Sequence, residues 1–280
     1  MTRCGLGYTS RVDFGDYAAQ PDEELDLLTG ALLVARDAYP DLDATAHVAN
    51  VDFLARELGA SRPSRLPPDA QAAALVDHLY RRHGFRGNES EYQDPKNSYL
   101  NVVLERRVGI PVSLAVVYVE VARRCCLRAQ GIGFPGHFLM SVGEGPDAII
   151  VDPFRGALPD RRALAKLLSR SGQPRRLQED MLLPTPTRHI IARMLMNLRG
   201  IHAARGDYPR LLVVLDRLID LMPEMADEVR DRGLLWAKLG APQAALDDLK
   251  RYVEALPHAG DAAEVRRLID QLESRPATVH

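Results

Sequence analysis

Residues 109–124 read GIPVSLAVVYVEVARR, and the fold turns on how this run is understood. Gly109-Ile110-Pro111 makes a turn into a segment where Leu114, Ala115, Val116, Val117, Val119, Val121 and Ala122 leave almost no polar face. A helix that is apolar nearly all round is a buried helix. Its many β-branched residues would also suit a strand. The run continues through Ala122-Arg123-Arg124 and outlasts an average strand, so a buried helix is expected over about 114–125. Pro111 and Glu120 interrupt it, and it is too short to cross a bilayer.

Downstream, residues 129–142 and 147–152 predict two strands around the turn signal Gly143-Glu144-Gly145-Pro146. Asp160 to Leu168 predicts a helix. Upstream, helices are expected over 22–38, where Asp22, Glu23 and Glu24 suit a helix N-terminus, over 43–58, ending at Gly59, and over 69–83, ending at Gly84. Residues 61–68 are proline-rich and read as a linker, and 86–97 as a polar loop. A short helix follows from Ser98 to Arg107, with Asn97 or Ser98 as its cap. Residues 1–20 are expected to be loose or a short surface segment, and the start of the chain lacks the pattern of a signal peptide.

Beyond residue 188 the chain reads as helices with an internal period. Gly206 and Gly240, Pro223 and Pro257, Ala203 and Ala237, Leu212 and Leu246, and Leu215 and Leu249 are each 34 residues apart. Paired helices at this period are the signature of tetratricopeptide repeats. Trp236-Ala-Lys-Leu239-Gly240 matches the opening string of that motif, but this register misplaces Pro257. A better register sets Gly233, Trp236, Gly240, Ala245, Leu249 and Pro257 at the marker positions. It gives repeats at about 192–225 and 226–259 and a capping helix at 261–273. The first repeat is a weak copy, with Arg199 and His202 where the second has Gly233 and Trp236. An ordinary helical bundle is the competing description.

The chain has 280 residues, 46% hydrophobic and 26% charged, which suffices for a core and excludes a wholly disordered protein. A net charge of −2 argues against a general nucleic-acid binder. Three cysteines make no disulfide scaffold, so a reduced, cytoplasmic setting is expected. Cys125 and Cys126, at a helix C-terminus, read as buried structural thiols, and Cys4 has no argued partner. Charge is uneven: residues 13–52 hold ten acidic side chains and one basic one, and residues 161–199 hold nine basic and two acidic. Two solvated faces, or two regions that attract each other, explain this more simply than a basic docking surface.

No phosphate-cradling or zinc-protease motif is present, and no cofactor or metal is expected. The chemistry left to consider is Ser113, His137 and Asp152. Ser113 stands at the N-terminus of the buried helix, where free N–H groups stabilise negative charge. His137 and Asp152 lie on successive predicted strands, where a carboxylate could orient an imidazole. Each also has a plain structural role: Ser113 as a helix cap, His137 in a glycine-rich turn, and Asp152-Pro153 as the start of a turn.

The segments NSYLNVVLERRVGIPVSLAVVYVEVARR, GFPGHFLMSV and IIVDPFRG, in that order, resemble the transglutaminase-like family of the bacterial SirB type. In that family such a core precedes tetratricopeptide repeats. The resemblance covers most of the chain from about residue 22 and implies an α+β, papain/transglutaminase-like core with N-terminal helices, then an all-α repeat region. The two parts are expected at 20–185 and 188–275. It also implies a catalytic triad, with Ser113 at the cysteine position and His137 and Asp152 as its partners. Serine rules out thioester chemistry there and leaves two readings. One is protein or peptide recognition through a non-catalytic cleft. The other is a Ser-His-Asp hydrolase or acyltransferase acting on an amide or ester. Asn97, Tyr99, Phe134 and Gly136 are the candidate substrate contacts, with packing or capping favoured for Asn97 and Tyr99. A protein or peptide partner is expected, nucleic acid and membrane are not, and the oligomeric state is not legible.

Overall fold

The computed structural model describes residues 12–172 and 176–274, and the chain divides into two compact units between Met194 and Leu195. Cys4 and Arg175 lie outside the described residues.

The first unit opens with α1 (Phe14–Ala18), whose cap Asp13 accepts from the Asp16 N–H at 2.8 Å. Phe14 and Tyr17 are buried, which corrects the expected loose segment over 12–20. Two aromatic rings gain more from the core than from solvent. Gly30 makes this possible, since a Cβ there would stand 2.3 Å from the Tyr17 hydroxyl. The helix expected from residue 22 starts later. Asp22–Glu24 form one 3-10 turn, and α2 (Leu27–Arg36) begins after Asp26, whose carboxylate accepts from the Thr29 N–H at 2.7 Å and the Thr29 hydroxyl at 2.6 Å. The acidic run therefore precedes the helix, and the residue that can cap it sets its start. Next come α3 (Ala44–Gly59), capped by Asp43, and α4 (Pro68–Val76), which runs into a π turn over Asp77–Arg82.

Helix α5 (Leu100–Arg106) has Tyr99 as its N-cap residue, so neither Asn97 nor Ser98 is its cap. Helix α6 is the expected central helix, begins three residues earlier than expected (Pro111–Arg124), and is buried at every position from Pro111 to Ala122. Proline suits its first position, where no N–H is required. Its single buried charge, Glu120, pairs with Arg124 at 2.5 Å and Arg123 at 3.6 Å. Cys125 is buried and donates to Ala55 O at 3.2 Å, but Cys126 is exposed. Its φ of +58° turns the chain out of the helix, so the expectation of two buried thiols holds for Cys125 only.

The segment expected to be one strand over 129–142 is two, β3 (Ala129–Ile132) and β4 (Leu139–Val142), joined by a tight turn in which Gly136 has φ +69°. With β5 (Ile149–Val151) they form an antiparallel sheet in the order β3-β4-β5, Met140 opposite Val151. A two-residue parallel pair, β1 (Arg86–Gly87) with β2 (Val108–Gly109), was not foreseen, since two residues carry no periodicity. Helix α7 (Arg161–Ser169) closes this part, with Asp160 accepting from the Ala163 N–H at 2.7 Å. The uneven charge is partly internal to the unit: Arg188 binds Asp22 at 2.5 Å and the carbonyls of Ala18 and Gln20.

Helix α8 (Thr187–Arg205) crosses the division. The second unit continues with α9 (Tyr208–Leu221), α10 (Ala226–Lys238), α11 (Pro242–Ala255) and α12 (Ala262–Glu273). Its backbone repeats at the sequence period. Gly206 and Gly240 have φ +65° and +77°. Asp207 N–H donates to His202 O and Ala241 N–H to Trp236 O, both at 3.0 Å. Met222 and Leu256 end their helices at φ −133° and −129°. Gly233 lets α10 and α11 close, because a Cβ there would stand 2.9 Å from Leu249. Among the described residues no helix is long and apolar enough to cross a membrane.

Candidate functional site

Helix α6 starts from Ile110 as its cap, which sets Ser113 at the third helical position. Ser113 is completely buried. Its hydroxyl donates to Asn97 O at 2.6 Å, has Ile110 O at 3.1 Å, and accepts from the Ile110 N–H at 3.1 Å. A hydroxyl has one proton to give, and here it goes to a backbone carbonyl. Gly109 lets the chain pass this close, as a Cβ there would meet the Ser113 oxygen at 2.7 Å.

Asn97, on the other side of that bond, is also fully buried. Its amide donates to Glu91 O at 2.7 Å and Tyr92 O at 3.3 Å, and its side-chain oxygen accepts from Asn88 at 3.1 Å. Asn88 in turn accepts from the Ser90 hydroxyl at 3.1 Å and the Glu91 N–H at 3.0 Å. Ser113 thus ties the polar 88–97 loop to the start of α6. A buried loop must satisfy its backbone groups internally, and these side chains do so.

The second polar centre lies on the sheet. His137 leads into β4 and Asp152 follows β5, so the β4–β5 pairing brings them together as the sequence suggested. His137 Nε2 stands 3.0 Å from Asp152 Oδ1, and both residues are buried. Asp152 also accepts from the Phe154 N–H at 3.0 Å and from the Arg155 guanidinium at 3.2 Å. Burial pushes its carboxyl up, but the bonds and charges of His137 and Arg155 outweigh this and hold it below the usual carboxylate value. The Phe154 ring lies edge-on to the imidazole, centroids 6.0 Å apart.

Between these two centres no hydrogen bond forms: among the described residues, every bond of the Ser113 hydroxyl is to backbone, and His137 has Asp152 as its side-chain partner. Of the other candidate contacts, Tyr99 and Phe134 are buried as well and Gly136 is exposed. Tyr99 stands edge-on to Tyr39 at 5.5 Å, and Phe134 packs in an apolar cluster with Ile132, Leu139, Leu164 and Leu168. A Cβ on Gly136 would stand 2.6 Å from that of Ser171. A cavity of about 640 Å³ is lined by Tyr80, Asn88, Arg106, Phe154 and Arg155, with none of Ser113, His137 or Asp152 in its wall. A wider groove of about 1280 Å³ is lined by Leu25, Leu27, Val48 and Ala55 and by charges of both signs, among them Glu23, Glu24, Arg56, Arg123 and Arg124.

Sequence reasoning missed Asn88, Arg155 and Tyr118. Arg155 was visible three residues beyond Asp152, within reach of its carboxylate. Asn88 gave no signal within a polar loop. The Tyr118 hydroxyl is buried without a hydrogen-bond partner among the described residues, and burial raises it well above the ordinary phenol value.

Comparison with known proteins agrees with this two-part chain. Residues 45–196 match the Transglutaminase-like superfamily and residues 198–270 a tetratricopeptide repeat family. A UPF0162 protein of Xylella fastidiosa is 38% identical over 95% of this chain and 96% of its own. A UPF0162 protein of Pseudomonas aeruginosa is 33% identical over 90% of this chain and 92% of its own. Protein SirB1 of Salmonella typhimurium is 27% identical over 77% of this chain and 81% of its own. No solved structure matches the chain.

Proposed function

We propose that this chain, which belongs to the transglutaminase-like superfamily and carries tetratricopeptide repeats after that domain, acts in protein recognition with a transglutaminase-like domain that does no acyl chemistry. One observation carries this reading: the Ser113 hydroxyl, at the position that the resemblance assigns to the nucleophile, is sealed from solvent and bonded to Asn97 O at 2.6 Å. A nucleophile needs its base within hydrogen-bond reach and a path for the substrate. Ser113 has neither the bond to His137 nor a place in the wall of either cavity.

Under this reading His137 and Asp152 brace the β4–β5 end of the sheet. The repeats offer the kind of helical surface that binds other proteins. The groove lined by Leu25, Leu27, Val48 and Ala55 carries charges of both signs, Glu23 and Glu24 beside Arg56, Arg123 and Arg124, and so offers an extended peptide both apolar and polar contacts.

The test is a panel of serine-directed fluorophosphonates and small activated esters, read by intact and peptide mass spectrometry. No adduct on Ser113 and no ester turnover are expected. An adduct on Ser113 in the native protein, lost in Ser113→Ala and slowed in His137→Ala, would overturn the reading in favour of an acyl-serine enzyme.

A further inference from the structure

We propose that Glu57, His78 and His83 form a binding site for a divalent transition-metal ion of the zinc class. One ligand atom from each side chain lies within 4.8 Å of the other two. The site uses none of the residues discussed above.

The local backbone explains how two histidines five apart come together. On an α-helix, with 3.6 residues per turn, residues five apart point in different directions. Here α4 gives way to the π turn over Asp77–Arg82, closed by the His83 N–H donating to His78 O at 3.0 Å. The wider turn sets the two rings on one face, centroids 4.5 Å apart. Single π turns cost hydrogen-bond geometry and recur at functional sites. Glu57, near the end of α3, reaches the same point, and its carboxylate lies 3.0 Å from His83 Nε2.

The ring chemistry suits a metal. His78 Nε2 lies 2.9 Å from Leu54 O. A carbonyl only accepts, so that nitrogen carries the proton, and Nδ1 is the ring nitrogen left with a lone pair for a metal. Metal-bound histidines usually donate their second N–H to a carbonyl or carboxylate in this way. Ligands at about 2.0–2.1 Å around a tetrahedral zinc stand about 3.3 Å apart, so small rotations close the set. Two imidazoles and one carboxylate form a donor set with one coordination position open to water. The His83 side chain is 14% exposed and that of Glu57 44%, so an ion can enter from solvent.

The competing description is a plain Glu57–His83 ion pair beside a packed His78. To separate the two, the full chain is stripped with EDTA and titrated calorimetrically with Zn²⁺, then with Co²⁺ while its visible spectrum is followed. One equivalent should bind, and both Glu57→Gln and His83→Ala should weaken it by at least about tenfold, since even partners beyond the ligands are worth 10–100-fold. The visible Co²⁺ bands should fade in the same variants. Glu57→Gln preserves size at a half-exposed position, so it carries the test even where His83→Ala loosens the turn. Failure to bind Zn²⁺ stoichiometrically, or wild-type affinity in both variants, would overturn the proposal.

Discussion

The repeat unit and the transglutaminase-like unit are specified in different ways. In the repeats one backbone solution recurs: the left-handed glycine, the bond back over the helix end and the final helix geometry return 34 residues later. In the first unit each polar contact occurs once and joins distant segments, as with Ser113 to Asn97 and His137 to Asp152. Even the weak repeat makes the point. Gly233 allows close packing of α10 on α11, while Arg199, its counterpart, binds Glu228 at 2.8 Å and Asp231 instead. A period constrains the backbone and the small positions, but not the side-chain chemistry of each copy.

Matched substitutions test that contrast. The largest effect is expected from Leu215→Ala and Leu249→Ala, both almost fully buried and one period apart. Each should cost about 3 kcal/mol, the usual cost of a leucine cavity. Urea unfolding followed at Trp236, the only tryptophan, should give similar losses for the two. A loss at one position alone would break the equivalence of the repeats.

Ser113→Ala has no such counterpart. It removes the buried hydroxyl that donates to the Asn97 carbonyl and accepts from the Ile110 N–H, leaves that carbonyl only the longer 3.3 Å bond from Ile110, and should cost about 2 kcal/mol by circular dichroism. A neutral result would mean that the hydroxyl is not holding the 88–97 loop.

Asp152→Asn comes next, at about 1.5 kcal/mol near neutral pH, the usual worth of a charge-assisted hydrogen bond. Because the folded carboxyl titrates below its unfolded value, its contribution is fully present above about pH 4 and is lost as pH falls through the folded value. The stability gap between wild type and variant should therefore narrow in acid. A gap that widens in acid would contradict the arrangement around Asp152. The smallest effects are expected from Gly206→Ala and Gly240→Ala, about 1 kcal/mol each and equal, since both residues are left-handed.

The same contrast governs what could be read from sequence. The repeats, their register and the buried helix α6 were legible because periodicity and apolar runs act through local backbone geometry. The His137–Asp152 pair was legible because two short strands around a turn signal must pair. The start of α2 was missed because an acidic run marks a helix start less sharply than the one residue able to cap it, Asp26. Burial of Phe14 and Tyr17 depends on the gap at Gly30, and the Glu57–His78–His83 cluster on a π turn. Neither leaves a spacing to recognise. Nor did sequence alone tell whether Ser113 faces a base or a carbonyl, because both arrangements place a serine at the same helix start.

The central claim is that the position of Ser113 is a closed structural joint rather than a reacting centre. Its most direct test is the reactivity of the thiol in Ser113→Cys, measured site by site with an alkylating reagent and peptide mass spectrometry, with the exposed Cys126 as internal reference. The account predicts that Cys at 113 reacts only as fast as the protein unfolds, far slower than Cys126. A thiol that reacts in the native state faster than Cys126, and slows when His137 is replaced by alanine, would show an activated nucleophile and contradict it.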